Sequence, residues 1–273
     1  MTRAQKHLVF VYLLFLLGLR LSGSVSSPLS WFFYVLSYLL PAGILIAVSG
    51  REGISLTACP PKIKARPLFL SLPLFSPTVL LLFGISALTT LLLGAFGLSG
   101  ETVLTGDFVG ILFSYILLPA LFEEFLFRYL PLSLLAPYGK RSAILFSALC
   151  FSLTHCDFFQ MPYAFVAGIL FAAIDLACGS VIPSLLFHLA NNALSVLLLT
   201  YGGTGNFTLF FFLFLAALSL LSLLFIMWKR KDYRALFFSE NSEKEQLIFT
   251  KAIVSLIIVC AFFAVMRLIP QGG

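Results

Sequence analysis

Long apolar runs separated by short polar stretches make up most of the chain. A membrane-spanning helix needs about 20 mainly apolar residues, and several runs approach or reach that length. The predicted spans are residues 8–22, 29–49, 74–97, 108–135, 142–157, 161–178, 180–201, 206–228 and 252–269. The pattern therefore predicts an all-α fold, a polytopic transmembrane helical bundle of about eight or nine spans. We expect residues 1–273 to form a single membrane domain.

The first apolar run has two interpretations. Arg3 and Lys6 precede apolar residues 8–19, and Ser- and Gly-rich residues 22–27 follow. This order resembles the charged region and apolar region of a signal peptide. The pattern of small residues expected at a cleavage site is poor, and Arg20 interrupts the end of the run, so an uncleaved first span is favoured.

The composition excludes a water-soluble protein. Hydrophobic residues make up 60% of the chain and charged residues 10%, whereas soluble domains contain about 25% charged residues. The net charge of +6 does not indicate nucleic-acid binding, because the basic residues are scattered between apolar runs. The expected partner is the lipid bilayer, with no nucleic acid.

Basic residues alternate between the two sides of the predicted bundle. They occur at the N-terminus and after the second, fourth and eighth spans, and the intervening loops contain no Lys or Arg. Because cytoplasmic loops are enriched in these residues, the N-terminus is predicted to be cytoplasmic and the polar stretch 229–251 to be a cytoplasmic loop. The compact loops favour a bacterial plasma (inner) membrane.

The fourth span carries charges within its apolar run. Glu123 and Glu124 lie 11 to 16 residues from its two ends, near mid-bilayer, and Arg128 follows one turn later. A charge at mid-bilayer costs a few kcal/mol. Glu124 and Arg128 are i, i+4 neighbours that can neutralise each other. Glu123 points about 100° away and has no partner within its own helix. It is therefore free to face a cavity and to act as a general base.

Two further spans supply polar groups at overlapping depth. Phe151 and His155 share one face of the fifth span, and His188 and Asn192 share one face of the seventh. Singly, such residues more often hydrogen-bond between helices. Together with Glu123 they favour a functional site formed by spans four to seven. Asp175, near the cytoplasmic end of span six, is expected to be structural, within reach of headgroup water, and Phe151 to pack so that it orients His155.

At these residues the chain resembles the CPBP family of intramembrane proteases, which includes the type II CAAX prenyl endopeptidases and bacteriocin-processing or immunity proteins. The family pattern is EExxxR, then FxxxH, then HxxxN or HxxxD. Here it reads Glu123-Glu124 with Arg128, Phe151 with His155, and His188 with Asn192. The motifs lie in residues 108–200, which we expect to contain the catalytic core helices.

The resemblance implies an endopeptidase that cleaves membrane-associated peptides or proteins. Glu123 would activate a water, and His188 would position that water. His155 would orient the water or share with Asn192 the binding of the oxyanion, while Glu124 and Arg128 would brace the helix.

A metal-dependent mechanism is the alternative for the same residues. Glu123, His155 and His188 are residue types that bind zinc, and the family was long classed as metalloproteases. HExxH is absent, however, and the three residues come from separate helices. The type II prenyl endopeptidases resemble metal-free, glutamate-dependent enzymes, so no cofactor is expected.

Two other functions remain open. A non-catalytic family member acting as a membrane scaffold or immunity protein should show an eroded catalytic set, and here the set is intact. A transporter should show paired broken helices, and the Gly-rich stretch 202–205 falls in a loop.

Overall fold

The computed structural model describes residues 2–23, 29–51, 56, 62, 64–100, 104–237 and 251–268. Within these ranges all the regular elements are helices. They are α1 Thr2–Gly23, α2 Leu29–Arg51, α3 Ala65–Ala95, α4 Phe108–Tyr138, α5 Lys140–Thr154, α6 Met161–Cys178, α7 Ile182–Tyr201, α8 Phe207–Trp228, α9 Arg230–Phe237 and α10 Lys251–Leu268.

Eight of the described helices are long and apolar enough to cross a membrane. The predicted all-α, polytopic bundle is therefore confirmed, and the predicted fifth span is the element that falls short. Its helix, α5, has 15 residues, because Gly139 (φ +134°) precedes it and Cys156 (φ +48°) follows its end. Neighbouring helices bury much of α5, and such shielding permits a short helix at membrane depth.

The helices form two packed groups that meet at α4, α5, α6 and α7. In the first group, α1 packs along α2 and also contacts α5 and α10. In the second, α3 packs on α6 and α8, and α7 packs on α6 and α4. α5 and α6 join the groups through an extensive contact, so polar residues on α4 to α7 converge at the junction.

Large apolar side chains cover much of the outer surface of the bundle, and a few charged side chains are buried in it, unlike in a soluble protein. Phe210 and Trp228 on α8 are 65% and 74% exposed, whereas Arg128 on α4 is fully buried. In lipid this arrangement lets apolar side chains face the hydrocarbon and keeps charges inside the protein. Both features fit a multi-pass integral membrane protein.

Two boundaries differ from the sequence prediction. The predicted span 74–97 begins earlier, at Ala65, because a 3₁₀ turn at Leu72–Leu74 joins two helical segments into one rod. The predicted loop 229–251 contains the short helix α9, and the rest of it, residues 238–250, lies outside the described residues. Arg66 of α3 donates to Asp232 of α9 at 2.9 Å, which ties α9 to the end of α3.

Gly168 permits the close approach of α6 to α5. A Cβ atom there would lie 2.7 Å from Cα of Ala148, a distance that forces the two backbones apart. We expect Gly168→Ala to lower the free energy of unfolding by about 1–3 kcal/mol through overpacking. Chemical or thermal unfolding in detergent micelles measures the effect.

Gly84→Ala is the matched control for this prediction. A Cβ at Gly84 meets nothing within 4 Å, and Ala in a helix interior is more stable than Gly by about 0.5–1 kcal/mol. The two substitutions are therefore expected to have opposite signs. Equal effects would contradict the close-packing explanation.

Candidate functional site

A cavity of about 520 Å³ lies among α3, α4, α5, α6 and α7. The four residues predicted to be catalytic all line it: Glu123, His155, His188 and Asn192. Glu124 and Arg128, predicted to be supporting, are buried behind the wall instead. The structure therefore brings together, in one cavity, side chains from three helical segments.

Glu123 lies in a part of α4 whose turns are irregular. The α-helical turns Leu118–Glu124 lie between π-helical turns at Leu112–Leu117 and Phe125–Tyr129, and such wide turns often occur at functional sites. Its carboxylate Oε1 accepts a hydrogen bond from the Tyr38 hydroxyl at 3.3 Å. Its Oε2 lies 3.7 Å from Nε2 of His188. Glu123 is thus held from one side and faces the cavity on the other.

The Glu124 carboxylate contacts two side chains, those of Arg128 and His188. Its Oε2 lies 3.5 Å from Nε of Arg128, as the i, i+4 spacing predicts. Its Oε1 accepts a hydrogen bond from Nδ1 of His188 at 2.7 Å, a contact that the spacing within α4 does not reveal. A carboxylate bonded to one imidazole nitrogen fixes the ring's orientation and tautomer. Glu124 therefore orients His188 toward Glu123.

Arg128 is fully buried and held mainly by an aromatic ring. Its guanidinium carbon lies 3.9 Å from the centroid of the Phe151 ring, within the range of a cation–π contact. Among the described residues its nitrogens make no hydrogen bond, and Glu124 is its ion-pair partner. Phe151 thus carries a second contact beyond the expected one with His155.

His155 is the residue that follows the last turn of α5. Its Nδ1 lies 2.8 Å from the carbonyl oxygen of Phe151. A carbonyl oxygen only accepts hydrogen bonds, so Nδ1 carries a proton. In the neutral ring, Nε2 is then an acceptor. The rings of Phe151 and His155 also meet edge to face at 4.8 Å, and both contacts orient His155.

Asp175 is fully buried, so the expectation that it reaches headgroup water is wrong. Its carboxylate accepts hydrogen bonds from the backbone N–H of Ser184 at 3.2 Å and from the Ser184 hydroxyl at 2.7 Å. Asp175 thereby satisfies a donor in the first turn of α7. This bond links α6 to the start of the helix that carries His188, which supports the expected structural role.

Several polar residues of the site are not part of the three motifs. Tyr38 contacts Glu123 from α2, 85 residues away along the chain. Gln160, Tyr163 and Asn191 line the cavity. Asn191 is three residues after His188 on α7, so helical spacing places it close to the face that carries His188 and Asn192. The other three have no signal in local spacing, because only the packing of separate helices brings them to the cavity.

The described residues contain no group of three or more His, Cys, Asp or Glu side chains arranged to hold a metal ion. His155 directs Nδ1 to a carbonyl oxygen, and His188 directs Nδ1 to Glu124. In both rings Nε2 is left as an acceptor, and metal-ligating histidines are commonly held in this way. The expectation that the site contains no metal therefore stays a prediction.

The fold and the polar cavity define a multi-pass, α-helical integral membrane protein with a buried site. Residues 105–194 match the family model described as type II CAAX prenyl endopeptidase Rce1-like. The match covers about a third of the chain, and the resemblance predicted from the motifs is confirmed over these residues. No curated protein and no solved structure shows a match to the chain. All three motifs fall within the matched residues.

Proposed function

We propose that this protein is an intramembrane endopeptidase that hydrolyses peptide bonds of membrane-associated peptides or proteins, with Glu123 as the general base. The observation that carries the proposal is the convergence of Glu123, His155, His188 and Asn192 on one cavity among membrane-spanning helices. The match of residues 105–194 to a model of CAAX-type endopeptidases supports a protease in general terms.

The geometry suggests how the attacking water is oriented. With Nδ1 of His188 bonded to Glu124, Nε2 of the neutral ring is an acceptor, and Oε2 of Glu123 lies 3.7 Å from it. One water on the cavity side of these two atoms can donate one hydrogen bond to each. Its lone pair then faces the scissile carbonyl carbon. Glu123 takes a proton as the new C–O bond forms.

The remaining steps use donors on the other wall of the cavity. The amide of Asn192 donates to the oxyanion of the tetrahedral intermediate, as such preorganised donors do in acyl transfer. His155 shares this role only when its ring is protonated, because its neutral tautomer offers an acceptor at Nε2. Protonated Glu123 then gives its proton to the leaving amine as the C–N bond breaks. The products are a carboxylate and an amine.

The cavity also restricts the substrate. Apart from Glu123 and the two histidines, the described residues that line it carry no formal charge, and they include Leu82, Phe83, Phe159 and Val196. We propose that the substrate segment beside the scissile bond is uncharged and mainly apolar. No described lining residue is a Lys or Arg that would select a charged chain terminus.

The test compares wild type and Glu123→Ala, purified in detergent or nanodiscs, on a library of membrane peptides with and without a chelator. We expect wild type to release new termini that mass spectrometry detects, and Glu123→Ala to release none. Asp232→Ala, which removes a carboxylate of α9 that does not line the cavity, is the matched control and should keep the wild-type profile. Cleavage in H₂¹⁸O should place one ¹⁸O in the new carboxylate.

Two outcomes would contradict the proposal. Equal profiles from wild type and Glu123→Ala would overturn the protease function and favour a scaffold or immunity protein. Loss of wild-type cleavage with the chelator, and its recovery with added zinc, would overturn the metal-free mechanism alone.

A further inference from the structure

The general base of the proposed reaction is contacted from a helix outside the family match. Tyr38 lies on α2, whereas the match covers residues 105–194. Its hydroxyl donates to Oε1 of Glu123 at 3.3 Å, and the residue is only 3% exposed. Tyr38 does not line the cavity, so it touches the carboxylate from behind.

Three contacts fix the side chain of Tyr38. Its ring stacks on Phe122 with centroids 5.1 Å apart and planes 23° apart, and it packs on Phe15 at 4.7 Å. Its hydroxyl lies 3.5 Å from the hydroxyl of Tyr34. Because the Tyr38 proton goes to Glu123, Tyr34 is the donor of that second, longer contact. The hydroxyl that meets Glu123 therefore has little freedom to move.

The two carboxylate oxygens of Glu123 consequently have different surroundings. Oε1 is bonded to Tyr38, and Oε2 faces His188 and the cavity. A carboxylate without the Tyr38 bond can rotate about its last torsion, which is broad for Glu, and can turn Oε2 away from His188. A group held in place loses less freedom when it reacts, and small misplacements of a catalytic group cost up to about 100-fold in rate.

We propose that Tyr38 is a positioning residue that holds Glu123 with Oε2 toward the water and His188. This inference rests on the proposed function of Glu123 as the base. It gives the N-terminal helices, which carry no catalytic motif, a specific part in the site. Tyr38 acts through Glu123 and does not itself touch the substrate.

The test is Tyr38→Phe, which keeps the ring and its packing and removes only the hydroxyl. We expect kcat to fall about 10- to 100-fold, with KM and the unfolding temperature unchanged. Tyr233→Phe is the matched control: it removes a buried hydroxyl that donates to the carbonyl oxygen of Leu70 at 2.7 Å and forms no hydrogen bond with Tyr38 or Glu123. It should keep kcat within about twofold of wild type.

A second measurement separates positioning from packing. In a Glu123→Gln background, adding Tyr38→Phe should cause no further loss of residual activity, because the residue acts only through the carboxylate. A further loss of the same size in that background would overturn the proposal in favour of a general structural role.

The outcomes also separate this inference from the proposed function. Glu123-dependent cleavage by wild type, with Tyr38→Phe and Tyr233→Phe both as active as wild type, would overturn the role of Tyr38 and leave the protease function in place. Absence of any Glu123-dependent cleavage would overturn both.

Discussion

Replacing Glu123 with Gln is expected to lower kcat for peptide-bond cleavage by about 10³-fold or more. Gln has nearly the same size and still fits beside Tyr38 and His188, but it cannot accept a proton from water. Since the loss falls on a step of the reaction, KM and the unfolding temperature should stay close to the wild-type values. Steady-state kinetics on a peptide identified from the library, together with thermal unfolding, measure these quantities.

Glu124→Gln provides the contrast at the adjacent position. This residue lies behind the cavity wall, bonded to His188 and beside Arg128. We expect it to lower both the unfolding temperature and the activity, because it weakens the ion pair and the orientation of His188. If Glu123→Gln kept activity within about threefold of wild type while Glu124→Gln abolished it, the assignment of the base to Glu123 would be wrong.

The contrast between these neighbours shows what the sequence predicts well. Helical periodicity is a local property, so it correctly separates the face of Glu123 from that of Glu124 and Arg128. The hydropathy pattern likewise predicts most of the spans, because lipid demands long apolar helices. The order of the three motifs predicts the resemblance to CAAX-type proteases, and the family model finds the same resemblance over residues 105–194.

Contacts between helices that are distant in sequence are not predictable in this way. The bond from His188 to Glu124 depends on how α7 is rotated against α4, and the bond from Tyr38 depends on where α2 packs. Neither is encoded in a spacing. The expectation that Asp175 reaches headgroup water is wrong for a related reason. Its hydrogen bond from Ser184 depends on how the start of α7 packs against the end of α6. The roles of the cavity residues and the cytoplasmic position of the N-terminus stay predictions.

Replacing Arg128 with Leu is expected to lower the free energy of unfolding by about 3–5 kcal/mol, because it leaves the buried Glu124 carboxylate without its cation. Arg128 is fully buried, lies 3.5 Å from Glu124 and covers the Phe151 ring. Glu124→Leu should cost a similar amount, since the guanidinium then lacks its counter-charge among the described residues. Unfolding in a mixed-micelle titration, followed by circular dichroism, measures both.

The double variant Glu124→Leu/Arg128→Leu tests whether the stability losses of the single variants come from an uncompensated buried charge. When both charges are removed together no uncompensated ion remains, so the loss should be much smaller than the sum of the single losses, as for other buried pairs. Its activity should nevertheless stay low, because His188 has lost the acceptor for Nδ1. Arg66→Leu, which breaks the exposed pair with Asp232, is the control and should change stability little. Additive losses in the double variant would show that Arg128 and Glu124 stabilise the bundle through packing and not through their charges.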